Sequence, residues 1–174
     1  MRSLRPHYSP LRRPSDRGFT LVEVMVVAAI LAILAALASP NFNRLIQQTE
    51  VNSARDAFEA SIYFARTEAV RTGTPIVIRP LCPGAPSPWD CGWAVTTGAP
   101  PAVIVLRQVE LGAGVGMAFP GAMATYTVGT RGNLPAARFE FKGSKGAEPA
   151  EVGKRLCIST GGRVRKLDEL GACP

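Results

Sequence analysis

Histidine is almost missing from this chain: His7, close to the start, is the only one. That scarcity removes Ser-His-Asp and Cys-His nucleophile pairs, and imidazole metal sites, from the body of the protein. Cysteine is sparse as well, and Cys82, Cys91, Cys157 and Cys173 contain neither a C-x-x-C pair nor zinc spacing. Carboxylates are scattered singly apart from Asp168-Glu169, so paired-acid chemistry has no home. No glycine-rich phosphate loop opens a helix, because Gly112-Ala-Gly-Val-Gly-Met lacks the dinucleotide and Walker spacings. Together these absences argue against an enzyme and imply no cofactor and no metal. Aromatics are only 7% of the residues, which points to a modest globular core.

What is present is uneven. Arg2, Arg5, Arg12, Arg13 and Arg17 stand against Asp16 alone, so much of the net charge of +7 belongs to a basic leader. From Phe19 to Ala38 only Thr20 and Glu23 are neither apolar nor small. A run of about 20 residues at a 1.5 Å rise matches the ~30 Å hydrocarbon core of a bilayer. Arginines before it and none within it orient the leader towards the cytoplasm.

Three readings compete for this segment. A conventional signal peptide would use Ala36-Leu37-Ala38 as a small-x-small cleavage site, but the apolar run exceeds the roughly 7–15 residues usual there. A plain single-span anchor is the second. Both leave Glu23 unexplained, since a carboxylate in an apolar span costs about 2.5–3.5 kcal/mol on insertion scales. The third is a resemblance: Arg17-Gly-Phe-Thr-Leu-Val-Glu23 resembles the class III signal of type IV pilins and pseudopilins. That resemblance implies cleavage after Gly18 by a prepilin peptidase, methylation of the new N-terminal Phe19, and a helix distortion at Pro40. It gives Glu23 a partner, the Phe19 amine of a neighbouring subunit at similar depth in the inner membrane or filament core.

Beyond Pro40 the pattern becomes amphipathic, with Val51, Ala54, Phe58, Ile62, Ala65 and Ala69 recurring at three- and four-residue intervals. Arg55, Glu59, Arg66 and Arg71 fall elsewhere and read as a solvated face. Gly73 and Pro75 end the helix. The rest alternates as short β-type runs: 74–79, 92–97, 103–110, 124–128, 137–142, 155–159 and 163–167. One helix followed by strands predicts an α+β fold with the helix packed on antiparallel sheets. The domain organisation is then a leader at 1–18, a helix at 19–72 with its transmembrane part near 19–38, and a periplasmic β-rich domain at 73–174. Four cysteines behind a membrane-directed segment suit two disulfides in an oxidising compartment. Three pairings are possible, with the local pair of bridges, Cys82–Cys91 and Cys157–Cys173, preferred.

The globular part also carries a resemblance. Ala65-Arg-Thr-Glu-Ala69, the later Gly92-Trp93 pair and the strand running into Gly161-Gly-Arg163 resemble the FimT/GspH family of minor pilins and pseudopilins. That family implies a helix on β-sheets and other pilins as partners through the N-terminal helix.

One cationic feature remains. Lys154, Arg155, Arg163, Arg165 and Lys166 fall in a stretch without any acid. On a strand Arg163 and Arg165 share a face, and forked guanidiniums suit phosphates. The bland alternative is an edge strand kept from aggregating by its charges. Gly162-Arg-Val-Arg165 resembles the Gly-Arg-x-Arg motif of DNA-binding FimT-type minor pilins of natural transformation, which implies non-specific binding to the DNA backbone. The competing expectation is a GspH-like structural pseudopilin of type II secretion, without DNA binding. Lys142 and Lys145 are further cations whose position relative to Arg163 the sequence leaves open.

Overall fold

The computed structural model describes residues 18–98, 101–119, 124–143 and 152–173, without the side chains of residues 36–42. The expected leader up to Arg17 and Lys145 therefore lie outside the described parts, as does the side chain of Pro40. The chain divides into two compact units, Met1–Ser39 and Pro40–Pro174.

A helix, α1 (Leu21–Thr72), contributes to both units. In the first unit it starts at a T-x-x-E capping pattern. Thr20 is the N-cap, its Oγ1 accepting the N–H of Glu23 at 3.2 Å, and Glu23 places a carboxylate at the positive end of the helix dipole. Phe19, Leu21, Met25 and Leu31 are exposed. Among the described residues no helix is long and apolar enough to cross a membrane. The described side chains of this segment stop at Ala35, so the expected span of 19–38 falls partly outside them.

In the second unit the amphipathic pattern sets the packing. Val51, Ala54, Phe58, Ile62, Ala65 and Ala69 are all buried. The helix stops at Gly73, whose φ of 66° is left-handed and whose N–H bonds to the Ala69 carbonyl at 3.0 Å.

Among the described residues two antiparallel four-stranded sheets complete the domain. The first runs β3 (Ile104–Glu110), β2 (Gly92–Thr97), β1 (Ile76–Pro80), β5 (Tyr126–Val128). The second runs β4 (Val115–Ala118), β6 (Ala137–Gly143), β7 (Lys154–Ile158), β8 (Val164–Leu167). Strand β4 is an addition to the expected set. Gly114 and Gly116 dilute its side-chain alternation, so the run reads as a glycine loop.

Phe58 joins helix and sheets. Its ring meets Trp93 of β2 at 4.9 Å and Phe139 of β6 at 4.5 Å between centroids. Trp93 buries its indole N–H by donating to Ser61 Oγ at 3.0 Å, and Ser61 in turn donates to the Ala57 carbonyl. Tyr126 lies in the same core; burial pushes its phenol well above the usual range, and its hydroxyl donates to the Pro135 carbonyl at 2.8 Å.

Arg55 departs from the solvated face predicted for it. It is buried and donates to Asp168 Oδ1 at 2.9 Å, tying α1 to the segment after β8.

Both disulfides close locally, Cys82 to Cys91 and Cys157 to Cys173. The first staples the proline-rich loop after β1. Asp90 in that loop accepts the N–H of Met117 at 2.9 Å, so the loop bonds to the second sheet as well.

Candidate nucleic-acid interface

The basic edge is built on the β7–β8 hairpin. Its turn is a three-residue loop: Gly162 N–H bonds to the Ser159 carbonyl at 2.8 Å, and Ser159 N–H to the Arg163 carbonyl at 3.0 Å. Gly162 has φ 73°, the left-handed position that closes a G1-type bulge and that glycine fills without strain. The turn thus sets where Arg163 leaves the loop and fixes the register of β8.

That register pairs Arg155 with Leu167, Leu156 with Lys166, Cys157 with Arg165 and Ile158 with Val164. Paired residues share a face. Leu156, Ile158 and Val164 belong to the core and its margin, so Lys166 points towards α1. Arg163 and Arg165 point the other way, beside Cys157.

The five cations grouped by sequence therefore separate into two kinds, and three of them leave the interface. Lys166 meets Glu59 at 2.7 Å and Asp56 at 3.1 Å, and these hydrogen bonds hold its ammonium above the ordinary lysine value. Lys154 donates to the Asp168 carbonyl at 3.0 Å and lies 3.6 Å from its carboxylate. Arg55 above all, and then Lys154, hold the Asp168 carboxyl below its usual range. Arg155 is buried and donates to Glu140 at 2.6 Å, directly across on β6. The acids come from α1, from β6 and from beyond β8, so a stretch without acids in sequence is not without them in space.

Arg163 and Arg165 remain. Both are exposed, and among the described residues neither side chain meets a carboxylate. They line a cavity of about 200 Å³ with Cys157, Ile158, Ser159 and Cys173. The Cys157–Cys173 bridge fixes the C-terminal tail as its wall. Such a site can hold anionic oxygens through guanidinium forks.

Sequence reasoning passed over Arg138. It pairs with Cys157 across β6 and β7, on the face that carries Arg165, and its side chain is 47% exposed. The signal is the alternation Arg138-x-Glu140-x-Lys142, which puts all three on one face of β6. A larger cavity of about 540 Å³, between α1 and the β3–β4 connection, has apolar walls such as Ile46, Val109 and Leu111 and no cation.

A capped N-terminal helix that continues into a domain of two antiparallel sheets defines a type IV pilin-like fold. The minor pilin FimU of Pseudomonas aeruginosa has a similar fold, with a TM-score of 0.57 at 23% identity over 70% of this chain and 90% of that one. The minor pseudopilin EpsH of the Vibrio cholerae type II secretion system gives 0.56 at 16% identity, over 72% and 99%. The chain belongs to the family described as Type II transport protein GspH, which matches residues 54–162, and the prokaryotic N-terminal methylation motif matches residues 13–39. Type II secretion system protein H of Xanthomonas campestris pv. campestris is 36% identical over 73 residues, 41% of this chain and 43% of that protein. Type IV major pilin protein PilA of Myxococcus xanthus is 45% identical over 47 residues, 27% of this chain and 21% of that protein. The matched segments span less than half the length of either relative.

Proposed function

We propose that this member of the family is a FimT-like minor pilin that binds DNA non-specifically through Arg163 and Arg165, in the service of natural transformation. The observation that carries the reading is the pair of exposed guanidiniums on a disulfide-braced hairpin, on the side of the sheet away from the acids of α1. Phosphate contacts of this kind position DNA without reading its sequence, and their strength falls steeply with salt. Few cations are engaged, so affinity per subunit is weak, and several subunits in one filament supply avidity.

The N-terminal part of the reading follows the methylation motif. A prepilin peptidase cleaves after Gly18, Phe19 is methylated, and the helix anchors in the inner membrane, with the globular domain in the periplasm, before assembly with other pilins. Glu23 then pairs with the amine of a neighbouring subunit.

The test is DNA binding by the full chain in non-ionic detergent. Arg163→Gln with Arg165→Gln removes two phosphate contacts and lowers the slope of log K against log salt by about 1.4–1.8. Wild-type binding by the double variant overturns the assignment. A second reading, a GspH-like structural pseudopilin of type II secretion, is favoured by the match to the Xanthomonas secretion protein. It expects no salt-dependent DNA binding and expects the neighbouring genes to encode a secretion system.

A further inference from the structure

Strand register carries the cationic face beyond β8. Arg138 on β6 is opposite Cys157 on β7, and Cys157 is opposite Arg165 on β8. The three stand in one row on the face turned away from α1, and Arg163 lies two residues before Arg165, at the end of the turn that leads into β8. Two strand spacings separate Arg138 from Arg165 by about 10 Å at Cα, and Arg163 is about 7 Å from Arg165. The residue between the two arms is Cys157, so no long side chain of β7 stands between them, and what lies there is its disulfide to Cys173 with the C-terminal tail that the bridge holds.

Charge on this face is unbalanced. Arg138, Lys142, Arg155, Arg163 and Arg165 stand on it, and Glu140 is the only carboxylate that β6, β7 and β8 place there. Glu140 is already engaged by Arg155 at 2.6 Å and Lys142 at 3.1 Å. Arg138 reaches it only at 4.0 Å through Nε, which leaves its guanidinium about half exposed. The opposite face is neutralised, with Lys166 held by Asp56 and Glu59 and Lys154 by Asp168. Lys154 and Lys166 on the α1 side and Arg155 on the outward side serve the fold, and the remaining outward-facing cations are in excess.

We propose that Arg138 is a third phosphate-binding arm, and that the face takes consecutive phosphates of a nucleic-acid strand rather than one isolated anion. This deepens the DNA-binding reading above and rests on it. Three guanidiniums, on β6, on β8 and at the turn that leads into β8, suit a line of charges at these spacings. Every arm is an arginine and no exposed aromatic is interleaved on β8, so the contact is to the backbone, without base stacking.

The experiment measures fluorescence anisotropy of a labelled single-stranded oligodeoxynucleotide against salt, with the full chain in non-ionic detergent. Arg138→Gln is expected to lower the salt slope by about 0.7, one phosphate contact, and Arg138→Lys to restore it. Inorganic phosphate at matched ionic strength is expected to leave the oligonucleotide bound. A wild-type slope in Arg138→Gln, together with lost binding in Arg163→Gln/Arg165→Gln, overturns the third arm and leaves the DNA-binding reading standing. Displacement by inorganic phosphate overturns the multi-phosphate claim. An absence of salt-dependent binding by the wild-type chain overturns the reading itself, and the third arm with it.

Discussion

Glu140 and Arg155 face each other across β6 and β7, joined at 2.6 Å where both side chains are almost closed to water. This pair separates the cations that hold the domain together from those left to bind. Arg155 is adjacent in sequence to Lys154 and close to the Gly-Arg-x-Arg turn, yet its guanidinium is spent on a carboxylate of the neighbouring strand. Its loss and the loss of Arg163 or Arg165 must therefore have different consequences.

Arg155→Gln should destabilise the domain by about 3 kcal/mol, because it leaves Glu140 mostly buried with Lys142 as its remaining close partner. Arg163→Gln and Arg165→Gln, both at exposed positions, should stay within about 0.5 kcal/mol of wild type. Urea unfolding of the three variants checks both. Equal stability of all three would mean that the buried pair contributes nothing.

Acid should find the same pair. Burial pushes the Glu140 carboxyl up, but hydrogen bonds from Lys142 and Arg155 outweigh it and hold the group below the ordinary glutamate value of 4.5. A carboxyl depressed in the folded state stabilises fully above its unfolded value, and that contribution is lost as pH falls through the folded value. The thermal midpoint should hold from neutral pH to about 4.5 and decline below it. Glu140→Gln should flatten this acid limb in a series of thermal melts.

Gly162→Ala tests the turn. With φ at 73°, an alanine there is expected to cost about 1–2 kcal/mol. Space is not the reason, since the nearest atom to an added Cβ is Leu134 Cβ at 3.7 Å. Gly161→Ala is the control: its φ is not positive and its nearest contact is Ser159 Oγ at 3.9 Å. Denaturation of the two variants should separate them, and equal stability would remove the backbone argument for the glycine.

Much of this was legible in the chain because local periodicity maps directly onto burial. The three- and four-residue spacing from Val51 to Ala69 named the helix face that Phe58 centres, and alternation put Arg163 and Arg165 on one side of their strand. What resisted was what lies across from a strand. Lys166 is neutralised by Asp56 and Glu59, more than 100 residues earlier, a pairing that only the packing of β8 on α1 creates. Arg138 joins Arg165 through register across two strand pairs, which no local pattern encodes. Strand β4 was hidden because glycines erase the alternation by which strands are found.

The start of α1 supports a sharper test of Glu23 than deletion of its side chain. Thr20 Oγ1 caps the Glu23 N–H, so Glu23 occupies the third helical position of a T-x-x-E pattern, where either Glu or Gln can serve the cap. The proposed pairing with a neighbouring amine, by contrast, needs the negative charge. Glu23→Gln keeps the cap and removes the charge, whereas Glu23→Ala removes both. If the charge is what matters, both variants are cleaved after Gly18 like wild type, seen as the same mobility shift on a gel. Both are then depleted from sheared filaments by immunoblot to a similar extent. If Glu23→Gln enters filaments normally while Glu23→Ala does not, the carboxylate acts through the helix start and the intersubunit ion pair is wrong.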